Sequence, residues 1–300
     1  MTTPLTFKSK HLKAIKEDTN VVQTHLPIIQ SGMDRLREAQ DRAKHHNLAE
    51  WISATTYPAQ QSDIIERKQE GTGQWFLDAP EVATWLNEPN RTLFCPGIPG
   101  AGKTMIAAIA IDHLLKSVPN NSCGVAYVYC NYKNQVEQDA FSMLAAILKQ
   151  LVQTQPLIVE SVEQLHRKHA NQGTKPSLDE IFNTLQDVLA HYPTVYIVID
   201  ALDESQDIAR RQFLAQIRKL QTGRDVRLMA TSRFIPDIVE EFRKALKLEV
   251  QASDEDVKRF VAGQTHHLPR CIQRDPVLQE LVQNKIVEAV DGMYASYKLV

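Results

Sequence analysis

Glycine is scarce, with 11 in 300 residues, and the chain shows no internal repeat, so a collagen-like or glycine-rich low-complexity protein is excluded. Cysteine is scarcer still. Four cysteines cannot build the disulfide framework of a small secreted fold, and reduced thiols in a cytoplasmic setting are the simpler expectation. No stretch approaches the roughly 18 apolar residues that would span a bilayer, and the opening MTTPLTFKSKHLK has no apolar core of signal-peptide length. Neither sign of charge is in excess. The balance of 34 Lys+Arg against 36 Asp+Glu argues against a dedicated nucleic-acid or membrane-surface binder. What remains is an ordinary globular composition, 43% hydrophobic and 23% charged, long enough for about two domains.

The few glycines are not spread evenly. Gly97, Gly100 and Gly102 crowd into eight residues, so something local there needs a backbone without Cβ atoms. Upstream, Leu12, Ile15, Thr19, Val22, Leu26, Ile29, Met33, Leu36, Gln40 and Ala43 follow steps of three and four, which makes one helical stripe. Pro27 and Gly32 interrupt it, so the expectation is two helices or one kinked helix. The stripe serves self-association or a protein partner through residues 8–47, or it packs on the chain's own later segments. Tyr57-Pro58 and Gly71-Thr72-Gly73 mark a junction around a short polar helix at 62–70. Trp75 to Leu86 then reads as one helix.

From Thr92 onward, apolar runs alternate with helical ones. Thr92–Cys95, Val125–Cys130, Val195–Ile199 and Arg227–Thr231 read as strands. Helices are expected at Met105–Leu115, Asp139–Val152, Leu178–Leu189 and Ala209–Leu220, with Asp254–Ala262 and Pro276–Val290 beyond them. Continuous apolar strands separated by helices indicate an α/β fold, a parallel sheet with helices on both faces. The domain reading is a helical segment at 1–61, an α/β domain at 62–250 and a helical extension at 251–300.

Gly97-Ile98-Pro99-Gly100-Ala101-Gly102-Lys103-Thr104 fits G-x-x-x-x-G-K-[ST], the phosphate-binding loop. A strand delivers the chain, the glycines turn successive N–H groups inward as an anion nest, and the following helix aims its positive end at the same point. Lys103 supplies a full charge for the β- and γ-phosphates, and Thr104 a hydroxyl for Mg²⁺. The third apolar strand runs into Asp200-Ala201-Leu202-Asp203-Glu204. Acids at the C-terminal end of a buried parallel strand stand where open α/β sheets bind ligands. Asp200 is placed to hold the Mg²⁺ shell, and Asp203 or Glu204 to orient an attacking water. Arg233, at the end of the fourth strand, either reaches the γ-phosphate as a sensor or is an ordinary surface arginine.

Loop, acidic strand end and Thr-Ser-Arg strand end occur in this order. With GTGQWFLDAPEVATWL (71–86), LFCPGIPGAGKT (93–104), VYIVIDALDES (195–205) and RLMATSRF (227–234), the chain resembles the NACHT and STAND signalling NTPases. More narrowly it is similar to the nephrocystin-3-like N-terminal domain of fungal NACHT–ankyrin proteins. The resemblance implies a switch that binds ATP or GTP with Mg²⁺, hydrolyses it slowly and couples exchange to oligomerisation and signalling, in fungi to non-self recognition. It implies that Lys103, Thr104, Asp200, Asp203 and Glu204 do the nucleotide and metal work and that Arg233 senses the γ-phosphate. Relatives run on from a stretch like Asp291-Gly292-Met293 into another apolar helix and then repeats. The tail Tyr294–Val300 does not look like that helix, so the expected lid is partial.

Two other readings stay open: a non-hydrolysing adaptor whose helical start docks on a partner, and a P-loop kinase for a small molecule. Weaker signals each carry a plain explanation. His266-His267 with Cys271 reads as helix surface before metal site. Cys123 and Cys130 read as buried thiols. The basic run Arg210, Arg211, Arg218, Lys219, Arg224 and Arg227 reads as a solvated face before a site for an anionic partner. Trp75 packs, or stacks on a base.

Overall fold

Each apolar run read as a strand lies in one parallel sheet of the computed structural model. The strands are β1 (Thr92–Pro96), β2 (Cys123–Tyr129), β3 (Thr194–Asp200), β4 (Val226–Ser232) and β5 (Leu246–Lys247), in the order β2-β3-β4-β1-β5. Every pairing is parallel. All of β4, and all of β3 after its first residue, is buried, which requires cover on both faces. The expected P-loop-type α/β sheet is therefore present. The fifth strand was not anticipated; its two residues leave no alternation to read.

The structure describes residues 25, 30–117, 123–135, 137–154, 159–251, 253–264 and 270–290. Two compact units divide the chain, Met1–Leu48 and Ala49–Val300. In the first, residues 30–48 are helical straight through Gly32, and the stripe positions Met33, Leu36, Gln40 and Ala43 are exposed. The other stripe positions, Leu12 to Ile29, and Pro27 lie outside the described residues, as do His266, His267 and the tail from Asp291.

The second unit, Ala49–Val300, holds the sheet. Its helices are α1 (Tyr57–Glu66), α2 (Gln74–Leu77), α3 (Pro80–Asn87), α4 (Lys103–Ser117), α5 (Ala140–Thr154), α6 (Val159–Ala170), α7 (Leu178–Leu189), α8 (Asp207–Gln221), α9 (Pro236–Glu241), α10 (Asp254–Gly263), α11 (Arg270–Gln273) and α12 (Pro276–Val290). The polar helix expected at 62–70 starts earlier as α1, because Pro58 suits a first helical turn. The single helix expected over Trp75–Leu86 is two. Ala79 is extended ahead of Pro80, as a residue before proline prefers, and Pro80 opens α3. Helix α6 was not anticipated, although Val162 and Leu165 are buried at helical spacing.

Two long-range polar contacts explain where this unit starts and what its later helices hold. Lys149 on α5 is buried, and its Nζ donates to Ser53 O (2.8 Å) and Thr55 O (3.2 Å) and pairs with Glu50 (2.8 Å), pinning the entry segment. On α10, the buried Asp256 carboxylate accepts from the Gly73 amide (2.9 Å) and Trp75 Nε1 (3.1 Å), while Ser253 caps the helix by accepting from Asp256 N (3.1 Å). Trp75 is thus committed to packing. Four of the six residues of the basic run are ion-paired: Arg210 with Asp207, Arg211 with Asp237, Arg218 with Glu241 and Arg227 with Asp225. Among the described residues no helix is long and apolar enough to cross a membrane.

Replacing Lys149 with Met leaves the buried Ser53 carbonyl and the partly buried Thr55 carbonyl without their donor. The variant should lose about 3 kcal/mol of stability, read as a lower urea midpoint at unchanged slope; an unshifted midpoint would show that the pin is dispensable.

Candidate functional site

The register of the sheet sets the spacing of the site. β1 and β3 each pair with β4, which stands between them, so their C-terminal ends are two strand spacings apart, about 10 Å. One end carries an amide-rich loop and the other an acid. Between them lies a cavity of about 630 Å³, lined by Pro99, Gly100, Gly102, Lys103, Thr104, Tyr132, Asp200, Ala201, Asp203, Glu204 and Arg233.

On the β1 side, Gly100 (φ 78°) and Gly102 (φ 90°) adopt left-handed backbone that side chains resist. The first amide of α4 to bond back is Ile106 N–H, to Gly102 O (3.0 Å). The amides of Lys103, Thr104 and Met105 are the orphan donors that a helix start leaves. Lys103 Nζ folds onto the loop, donating to Gly97 O (2.9 Å) and Ile98 O (2.8 Å). Burial draws its pKa below the ordinary lysine value, although Asp203 and Asp200 pull the other way. Gly97 and Ala101, expected to contact nucleotide, do not line the cavity. The Gly97 amide bonds Ser232 O (3.1 Å), and the Ala101 amide bonds Ile98 O (3.2 Å) beneath a fully buried methyl.

On the β3 side, Asp200 is buried, and its Oδ1 accepts from Thr231 Oγ1 (2.6 Å). Burial pushes its pKa up, opposed by hydrogen bonds from the Thr231 and Thr104 hydroxyls. Thr104 and Asp200, from opposite walls, both line the cavity. Thr231 Oγ1 also accepts from Ala201 N (2.9 Å), which holds Ala201 in a left-handed conformation (φ 52°) unusual for a residue with a side chain. That kink turns the chain into the Leu202–Glu204 3₁₀ turn and presents the next two acids to the cavity.

These two acids differ in their surroundings. Asp203 accepts from Arg233 N (2.9 Å) and Arg233 Nε (2.5 Å), and its side chain is 4% exposed. Burial alone would raise its pKa, but the Arg233 bonds outweigh it and hold the carboxyl below the usual range. Arg233 is held above its own ordinary value by the same pair. Among the described residues no cation pairs with Glu204, whose Oε2 accepts from the Tyr132 main-chain N–H (3.2 Å).

The structure thus gathers Pro99, Gly100, Gly102, Lys103, Thr104, Asp200, Asp203, Glu204 and Arg233 around one cavity. Sequence reasoning missed Tyr132, Ala201 and the part played by Thr231. Only Thr231 left a trace, in the Thr-Ser-Arg strand end. Among the described residues no group of three or more His, Cys, Asp or Glu could cage a metal ion. One hydroxyl and one carboxylate are the hard oxygen donors that suit Mg²⁺, which takes its remaining ligands from phosphates and water. On that donor chemistry Thr104 and Asp200 fit the ion.

Fold and site together define a P-loop α/β protein. Residues 71–233 match the family described as nephrocystin 3, N-terminal, and the chain belongs to that family. Over 308 aligned residues it is 25% identical to the vegetative incompatibility protein HET-E-1 of Podospora anserina, an alignment covering 93% of this chain and 22% of that protein. The chain therefore spans about a fifth of the length of that curated relative. Among solved structures it is similar to a Walker-type ATPase of Pyrococcus abyssi (12% identity, 71% of this chain and 62% of that one, TM-score 0.45). Another is domain III of the replication initiation protein DnaA from Thermotoga maritima (16% identity, 77% and 82%, TM-score 0.41). Neither of these two likenesses bears on activity.

Two outcomes test this geometry. Thr231→Val strands the Ala201 amide and frees Asp200, and should cost about 1–3 kcal/mol in a urea titration, whereas Thr231→Ser keeps most of it. The second concerns acid. Asp203 titrates below its unfolded value of about 3.9, so its pair with Arg233 contributes stability above that pH and loses it as pH falls through the lower folded value. Asp203→Asn should therefore flatten the acid limb of a stability-against-pH profile; an unchanged limb would count against the pair.

Proposed function

We propose that this chain binds ATP or GTP with Mg²⁺ and hydrolyses it slowly, as the nucleotide-switch part of a STAND-type signalling protein. The observation that carries the reading is the opposition, across one cavity, of the amide-rich loop with Lys103 and the Asp200–Glu204 acids.

Each residue has a part to play. The Gly100, Gly102, Lys103 and Thr104 amides and the Lys103 ammonium hold phosphate oxygens, once Lys103 exchanges the Gly97 and Ile98 carbonyls for them. Thr104 and Asp200 hold Mg²⁺. When bound, the ion offsets negative charge on the phosphate oxygens. Glu204 is the water-orienting group, because Asp203 is occupied by Arg233. It accepts a proton as the water oxygen bonds to the γ-phosphorus and the bond to the leaving diphosphate oxygen breaks. Arg233 senses the γ-phosphate with its terminal guanidinium nitrogens while its Nε stays on Asp203.

The wider role follows from the relative's name and is proposed at the same level: a switch within fungal incompatibility signalling, with residues 8–47 as the self-association or partner-docking segment.

A fluorescent-ATP titration with Mg²⁺, followed by phosphate release, tests the core of this. Lys103→Ala should weaken binding by about 10- to 100-fold, as expected for losing charge-assisted bonds. Glu204→Gln should bind normally and turn over slowly. Equal binding by wild type and Lys103→Ala, or none by either, would favour the adaptor. Phosphate appearing on an added acceptor would favour the kinase.

A further inference from the structure

We infer that Gln135 is a positioning residue for Glu204, and the inference rests on the reading of Glu204 as the water-orienting group. Gln135 Nε2 donates to the Glu204 main-chain carbonyl at 2.7 Å. Three residues earlier, the Tyr132 main-chain N–H donates to the Glu204 carboxylate at 3.2 Å. One short segment after β2 therefore grips Glu204 at both its backbone and its reactive end, across about 70 residues of sequence.

The grip transmits position only if that segment is itself fixed, and it is. Tyr132–Asn134 form a 3₁₀ turn capped by Asn131, whose side chain accepts from Lys133 N (3.0 Å). Gln138 bolts the turn to the strand. Its Oε1 accepts from Asn131 N (2.8 Å), and its Nε2 donates to Tyr129 O (2.8 Å) and to Tyr57 OH (3.3 Å) on α1. The buried Tyr129 hydroxyl in turn bonds Gln61 of α1, and Gln61 Nε2 donates to Ala108 O (2.9 Å) on α4, the helix that begins at Lys103. A continuous set of hydrogen bonds thus references the Glu204 end of the cavity to the helix that opens at its phosphate end.

The far side of Glu204 is fixed as well. Its own amide bonds Ala201 O (2.8 Å), at the kink that Thr231 holds. The Cys130 amide bonds Asp200 O (3.0 Å), which aligns the ends of β2 and β3. Gln135 is the one side chain in this arrangement that closes the gap between the two loops at Glu204 itself. A misplacement of about 1 Å at a reacting group costs up to about 100-fold in rate, so one bond that sets this position acts on turnover rather than on nucleotide affinity.

The test compares Gln135→Leu, Glu204→Gln and the double variant in the full chain, using Mg·ATP. It reads phosphate release, fluorescent-nucleotide affinity and the thermal midpoint. Gln135→Leu should lower kcat about ten-fold while KM and affinity stay within about two-fold of wild type. The double variant should be no slower than Glu204→Gln alone, because both changes act through one group. A wild-type kcat in Gln135→Leu, beside a slow Glu204→Gln, overturns this inference and leaves the hydrolysis reading intact. A fall in affinity that matches the fall in kcat, or a further loss in the double variant, also overturns it, since Gln135 would then be a general structural contact. Wild-type turnover in Glu204→Gln overturns the assignment of Glu204 first, and this inference with it.

Discussion

Main-chain N–H groups at the start of α4 have no acceptors in their own helix, and about 10 Å away a buried carboxylate has hydroxyl donors but no cation of its own. Both walls face the same cavity, with β4 between the strands that carry them. A polyanion carrying a divalent cation satisfies both at once. The rest of the site shapes that gap: the glycine kinks on one side, the left-handed Ala201 on the other, and Thr231 from the intervening strand fixing the acid end.

The two cations at the cavity are held differently. Lys103 rests on two carbonyls of its own loop, and Arg233 rests on Asp203. An ammonium on neutral carbonyls gains little that phosphate oxygens would not exceed, so its rearrangement is favoured once an anion arrives. Arg233 sits in a full charge pair with a buried acid, so it is held more firmly than Lys103. The two acids on one 3₁₀ turn thereby take different work, one restraining a cation and the other staying open to water.

How much of this the sequence disclosed depended on how far apart the interacting residues lie in the chain. Lys103, Thr104 and the loop glycines act together within eight residues, so their spacing alone is diagnostic. Asp200 and Arg233 were legible because each ends an apolar strand, and parallel strands share an edge. Gly97 shows what else a motif position can encode: a Cβ there would meet Val250 O at 2.5 Å, so the close approach of two backbones requires glycine. The Thr231, Gln135 and Asp256 contacts join residues 31, 69 and about 180 positions apart, and no local period encodes such a meeting. Helix α6 and the α2–α3 break were readable in principle, from Val162 with Leu165 and from Ala79-Pro80. Strand β5 was not, since it exists only as an edge that β1 recruits.

The buried Asp256 has a bearing on where this molecule can be cut. Family similarity runs from residue 71 to residue 233, yet the Gly73 amide and the Trp75 indole both need a carboxylate that arrives 23 positions beyond that limit. Strand β1 likewise takes its outer neighbour from Leu246–Lys247. A fragment trimmed to the family match would begin with two stranded donors and a bare sheet margin, so the limits of that match and the limits of the contacts that complete this unit are different places in the chain.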